Sequence, residues 1–205
     1  MLPRVPQLVL SCVVLGVGVA LLLDASLGSD GYSSLVSGLT LASGVPFAVV
    51  NVAIAIALIG LAWSRGTRPG LGTLVQPVVV GVVVGALLPV LPSPPALPMR
   101  LLELAAAFVL LTLGVAGYLA TRTGAGPAEA AALAFDPPLA FRWSYTVLQV
   151  GGALGGWALG AAVGPGTLLT ALLVGPAVDL TTRTVFRRSA MVGTPARPEP
   201  LADPC

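Results

Sequence analysis

Few side chains in this chain could do chemistry, and the missing ones narrow the field first. There is no histidine and no lysine. Imidazole acid–base work and the commonest metal ligand are therefore unavailable. The two cysteines, Cys12 and Cys205, stand at opposite ends of the sequence, which gives neither a disulfide framework nor zinc spacing. The closing ADPC is no prenylation box. Eight carboxylates remain. Asp30 and Glu129 each open a short segment of small residues, where a carboxylate serves as a helix cap or as a ligand contact. Asp179 stands four residues before Arg183, the favourable order for a helical ion pair; a proton- or cation-coupling acid is the alternative. Glu103 follows Arg100 by three and reads as an interfacial pair. Ser33, Ser34, Ser37 and Thr40 recur at helical spacing. They form a hydrophilic stripe or tie helices together, at about 0.6–2 kcal/mol per hydrogen bond. Asn51, Gln76 and Gln149 interrupt apolar runs, so each needs a partner or lines a pathway. No nucleophile–base pair, phosphate loop or metal spacing is present, and the G-x-G pieces follow no strand. The expectation is a protein that is not an enzyme, holds no cofactor or metal and binds no nucleic acid.

The elements that position these residues follow from composition. Of 205 residues 56% are hydrophobic and 9% charged, with a mean hydropathy of +0.98. Soluble domains carry about 25% charge. A globule of this size cannot hide so much apolar surface, so a lipid bilayer is the expected partner. Stretches without charge cover Val5–Leu23, Gly31–Ser64, Pro69–Met99, Leu104–Thr121 and Trp143–Val178. One span needs about 20 residues. The longest stretches must therefore break, and Ser43–Pro46 and Gly164–Gly166 supply the Gly and Pro to do it. Arg4 and the apolar run to Ala25 also fit a signal peptide, but part of that run belongs to a repeat, which argues that it stays.

The repeat is visible by self-comparison. At a shift of 96, Gly18, Val19, Ala20, Leu23 and Gly28 fall on Gly114, Val115, Ala116, Leu119 and Gly124. At a shift of 94, Gly70, Gly72, Thr73, Leu74, Val80 and Gly81 fall on Gly164, Gly166, Thr167, Leu168, Val174 and Gly175, and Trp63 falls on Trp157. Two matched blocks in one order imply an internal duplication. Spans are expected near Val5–Leu23, Val45–Trp63, Gly72–Leu91, Pro98–Ala120, Phe141–Ala162 and Gly166–Phe186. Each copy then holds three crossings. An odd number of crossings puts the second copy upside down, as in many secondary transporters. The charges agree. With both termini inside, Arg4, Arg65, Arg68, Arg122, Arg142, Arg183, Arg187, Arg188 and Arg197 are cytoplasmic and Arg100 alone is outside.

The expected fold is therefore all-α, a polytopic membrane protein with six transmembrane helices as two inverted three-helix repeats. The membrane domain covers 1–188, with repeat one about 5–91 and repeat two about 98–186; residues 189–205 read as a disordered cytoplasmic tail. The G-x-G-T-L turns at Gly70–Leu74 and Gly164–Leu168, with Thr123–Ala130 (TGAGPAEA), resemble the YczE-like group of bacterial integral membrane proteins (YczE/YyaS/YitT) over roughly Leu15 to Phe186. The resemblance implies a six-helix protein of the bacterial plasma membrane for which transport is often suspected. Ser33 stands where that pattern has an acid in the first repeat, while Glu129 keeps it in the second. Tyr145 and Gln149 stand where the group often shows an Arg and an acid one turn apart.

The segments Gly28–Gly44 and Gly124–Pro138 are too short to span twice and too apolar for ordinary loops. They are re-entrant half-helices or helices lying flat at the interface. Gly152, Gly156 and Gly160 lie four apart and allow close backbone approach, either within the chain or as a homo-oligomer seam. The functional expectation is a small-solute secondary transporter or permease with its site between the repeats. Its candidate residues are Asp30, Ser33, Ser37, Asn51, Glu129, Gln149 and Asp179, with Gly70, Gly72, Thr73, Gly164, Gly166 and Thr167 as structural turns. The alternative is a non-transporting membrane scaffold or regulatory factor.

Overall fold

A computed structural model describes residues 4–136 and 138–186. The tail read as disordered lies outside the described residues. Among these, the chain forms helices and no strand, in the order α1 (Arg4–Asp24), α2 (Gly31–Ser43), α3 (Phe47–Ser64), α4 (Leu71–Leu87), α5 (Leu97–Ala120), α6 (Pro127–Leu133), α7 (Phe141–Ala158) and α8 (Pro165–Thr184). The helices α1, α3 and α5 are long and apolar enough to cross a membrane, and α4 is apolar but shorter. Large apolar side chains such as Leu10, Ile56, Val147 and Leu172 point outward along the helices. An apolar exterior of this extent marks a surface made for something other than water.

The six longer helices follow the expected spans to within a few residues, with two early stops. The first is α7, which ends at Ala158 and not Ala162. Gly160 takes a left-handed φ of +96° and gives its N–H to the Trp157 carbonyl at 3.0 Å. The next N–H, of Ala161, returns to the Gly156 carbonyl at 2.9 Å. This double return is the glycine-based stop of a helix. Gly160 therefore does not extend the face carrying Gly152 and Gly156, as the four-residue spacing had suggested. The second is α4, which gives way to turns after Leu87, ahead of Pro92.

The backbone repeats the two sequence shifts. Positive φ occurs at Ser26 and Arg122, and at Gly28 and Gly124, both pairs 96 apart; Gly66 and Gly160 form a third pair, 94 apart. Gly66 N–H bonds the Trp63 carbonyl at 2.9 Å, and Thr67 N–H bonds the Ala62 carbonyl at 3.0 Å, the same stop that ends α7. Each G-x-G-T turn is tied to the chain leaving the first helix of the other half. Gly72 N–H donates to the Thr123 carbonyl at 2.9 Å, and Gly166 N–H donates to the Leu27 carbonyl at 2.8 Å. Thr73 and Thr167 cap their helices by accepting the N–H of Gly70 (3.2 Å) and Gly164 (3.4 Å).

Packing centres on α1 and α5, which run antiparallel. Gly18 lies on the α5 backbone at Leu111 and Ala107, and Gly114 lies on the α1 backbone at Leu15. Any side chain at either position would push the helices apart. Dispersion across such glycine contacts is a main source of helix association where lipid removes the hydrophobic drive. Around this pair α4 packs on α1 and α8 on α5, while α2 packs on α7 and α6 on α3.

Candidate functional site

The polar residues that chain position scattered come together where α2 and α6 begin. Gly31, the first residue of α2, lies against the backbone of Gln149, the midpoint of α7. Gly152 then meets Gly31, and Gly156 meets Ser34 and Gly38. The glycine face of α7 is thus occupied by α2 of the same chain, which starts deep in the bundle and runs parallel to α7 towards its end.

Asp30 caps α2: its Oδ2 accepts the Ser33 N–H at 3.1 Å. Glu129 does the same work in α6 from a different position. Its carboxyl occupies the space beside Gly126, where a Cβ would sit 2.5 Å from Oε2, and Tyr118 hydrogen-bonds it. At the 96-residue shift Gly126 is the counterpart of Asp30. The two halves thus deliver a carboxyl to the same helix end, once from the cap residue and once from three residues further on. The two carboxyls are close enough to repel. Neither belongs to the six longer helices. Burial pushes the Asp30 carboxyl above its ordinary range, opposed by the bonds from Ser33. Burial also pushes Glu129 up, and the charge of Asp30 adds to it.

Neutral groups complete the cluster. Gln149 accepts the Tyr32 N–H on Oε1 at 3.0 Å and donates from Nε2 to the Tyr145 hydroxyl at 3.0 Å. The Tyr32 hydroxyl donates to Asn51 Oδ1 at 2.9 Å, and Asn51 Nδ2 donates to the Pro77 carbonyl at 2.6 Å. Five helices therefore converge here: α2, α3, α5, α6 and α7. Such an arrangement can hold a polar molecule by hydrogen bonds and can store or release a proton.

Of the residues singled out from sequence, Asp30, Ser33, Asn51, Glu129 and Gln149 meet in or beside this cluster. Two do not. Ser37 lines a separate cleft of about 290 Å³, together with Asp24, Ser29 and Ser93. Asp179 sits near the end of α8 in an exposed pair with Arg183, at 2.8 Å. The turn residues Gly70, Gly72, Thr73, Gly164, Gly166 and Thr167 frame the cluster without joining it. Sequence reasoning passed over Tyr32 and Tyr118. A tyrosine beside an apolar run reads as packing, and only the convergence of helices gives its hydroxyl a partner. The one available signal was Tyr32, two residues after Asp30.

The family model that matches, over residues 2–183, is described as a family of unknown function, DUF6198. A Haemophilus influenzae protein (strain ATCC 51907 / DSM 11121 / KW20 / Rd), described as uncharacterized, is 29% identical over 179 residues, covering 85% of this chain and 81% of the relative. No solved structure matches the chain. The likeness to the YczE-like group stands on its motifs alone. With the match running from the start of α1 almost to the end of α8, the chain belongs to the DUF6198 family, a family of unknown function.

Proposed function

We propose that this protein is a small-solute secondary transporter or permease of the bacterial cytoplasmic membrane. In this reading six helices cross the bilayer as two inverted three-helix repeats, with both termini inside. Helices α2 and α6 are re-entrant, entering from opposite faces. One observation carries the reading: α2 begins beside the midpoint of α7 and directs Asp30 towards Glu129 at the start of α6. Interrupted helices meeting at mid-depth between repeats are the usual site of substrate and coupling ions in this class. Non-helical backbone at such depth survives only against protein or a water-filled cavity. Paired positive-φ residues and paired caps support the duplication. Trp63 and Trp157, 66% and 65% exposed, end α3 and α7, and in the inverted reading they anchor opposite interfaces. Two carboxyls, three tyrosines and two amides suit a neutral or cationic polar solute better than an anion.

The test is side-specific thiol labelling of Ser33→Cys and Glu129→Cys in membranes, with Cys12 and Cys205 replaced. Transport predicts that each site is reached through water, and that conditions shift their reactivity between faces in opposite senses. Labelling of Ser33→Cys only from outside and Glu129→Cys only from inside, unchanged by conditions, would sink the proposal. A scaffold or regulatory factor would then be the surviving account.

A further inference from the structure

The last residue of α1 is a carboxylate that the central cluster does not use. Asp24 is 6% exposed. Its Oδ1 accepts the Ser93 hydroxyl at 3.1 Å, while its Oδ2 is buried and meets no donor. Across the α1–α5 contact stands Glu103, whose Oε2 is also buried and meets no donor. The two carboxyls lie within hydrogen-bonding reach of each other. Two acceptors in contact, each short of a donor, are satisfied together by one proton.

The surroundings hold no other group that could do this. Arg100, one turn before Glu103, donates its Nε to the Ala25 carbonyl at 2.8 Å, and among the described residues it forms no ion pair with either carboxyl. Helix α4 carries no ionisable residue, and α2 carries only Tyr32, whose hydroxyl is given to Asn51. The acids nearest in sequence are Asp30, which caps α2, and Asp179, which pairs with Arg183 at the far end of α8. Asp24 also lines the 290 Å³ cleft with Ser26, Ser29, Ser37 and Ser93, so a hydroxyl-lined route joins the pair to the solution.

We propose that Asp24 and Glu103 form a proton-binding site, holding one proton between their carboxyls and exchanging it through the serine-lined cleft. Two carboxylates in contact away from water cannot both ionise, and such a pair takes up and releases its protons in separate steps. A metal cation fits less well, because carboxyls already in contact leave no space for an ion between them. The inference concerns proton binding and holds whether or not a solute is moved.

The test is infrared difference spectroscopy of the full chain in lipid bilayers, with Asp24→Asn and Glu103→Gln compared against wild type. Each amide supplies the missing donor, so the remaining carboxyl can ionise. Wild type minus either variant should show one protonated carboxyl per chain at neutral pH. That band should shift in deuterated water and vanish on alkaline titration. Two variants are used so that failure of one to fold leaves the other informative. The proposal is overturned if neither difference spectrum contains the band. It is also overturned if the band appears only when sodium or potassium is removed, which would mark a metal-cation site.

Discussion

Two neighbouring glycines on α7 offer a matched test of the packing on which the site depends. A Cβ at Gly151 meets nothing within 4 Å. A Cβ at Gly152 would sit 2.5 Å from the Gly31 carbonyl oxygen and 2.8 Å from its carbon. The chemical change is the same, on one helix, one residue apart. Gly151→Ala gains helix propensity, up to about 1 kcal/mol. Gly152→Ala gains the same and then meets α2 backbone, which has no flexible end to swing away. Overpacking of this kind costs about 1–3 kcal/mol. If α2 retreats, the Tyr32 N–H to Gln149 bond is stretched or lost, at roughly 1 kcal/mol more. The two variants should therefore differ by roughly 2–4 kcal/mol, with Gly151→Ala the more stable. Reversible unfolding in mixed micelles, titrated with a denaturing detergent, reads the difference directly. Equal stabilities, within about half a kcal/mol, would mean that α2 does not lie on α7. The central cluster would then have no basis.

Two further outcomes follow from the cluster. Asp30 and Glu129 hold their protons more tightly folded than unfolded. As pH rises past the ordinary carboxyl range, the unfolded chain releases protons first, and folding stability falls until the folded groups release theirs. Asp30→Asn and Glu129→Gln should flatten that slope in unfolding curves taken across pH; a wild-type stability that climbs with pH there would contradict the assignment. Tyr32→Phe removes the donor to Asn51 Oδ1 and leaves a buried acceptor short, at about 1–3 kcal/mol. In a double-mutant cycle with Asn51→Ala the two losses should overlap, and strict additivity would show that the bond contributes nothing.

Much of the architecture was legible because it rests on local signals. Helix ends are set by glycines and prolines a few residues apart, so Gly44–Pro46, Gly66 and Gly164–Gly166 marked them in advance. The duplication was legible because Gly28 and Gly124, or Thr73 and Thr167, answer one backbone requirement twice. Even the fifth helix was misjudged only at its end, where Gly160 serves as a stop and not as a fourth-residue contact.

The sequence alone determined how many long helices form, where they start, and that their outward faces are apolar, since hydropathy and turn chemistry act over a few residues. It also singled out Asp30, Glu129, Asn51 and Gln149, because polar groups in apolar runs stand out one at a time. Which of them meet was decided only by tertiary structure. Gln149 is 117 residues from Tyr32, and the two are joined because glycines at 31, 152 and 156 let α2 and α7 close to backbone contact. Asp24 looked like the end of a span until α5 brought Glu103 beside it. A carboxyl's chemistry depends on the group across from it, and that group is chosen by packing between helices far apart in the chain.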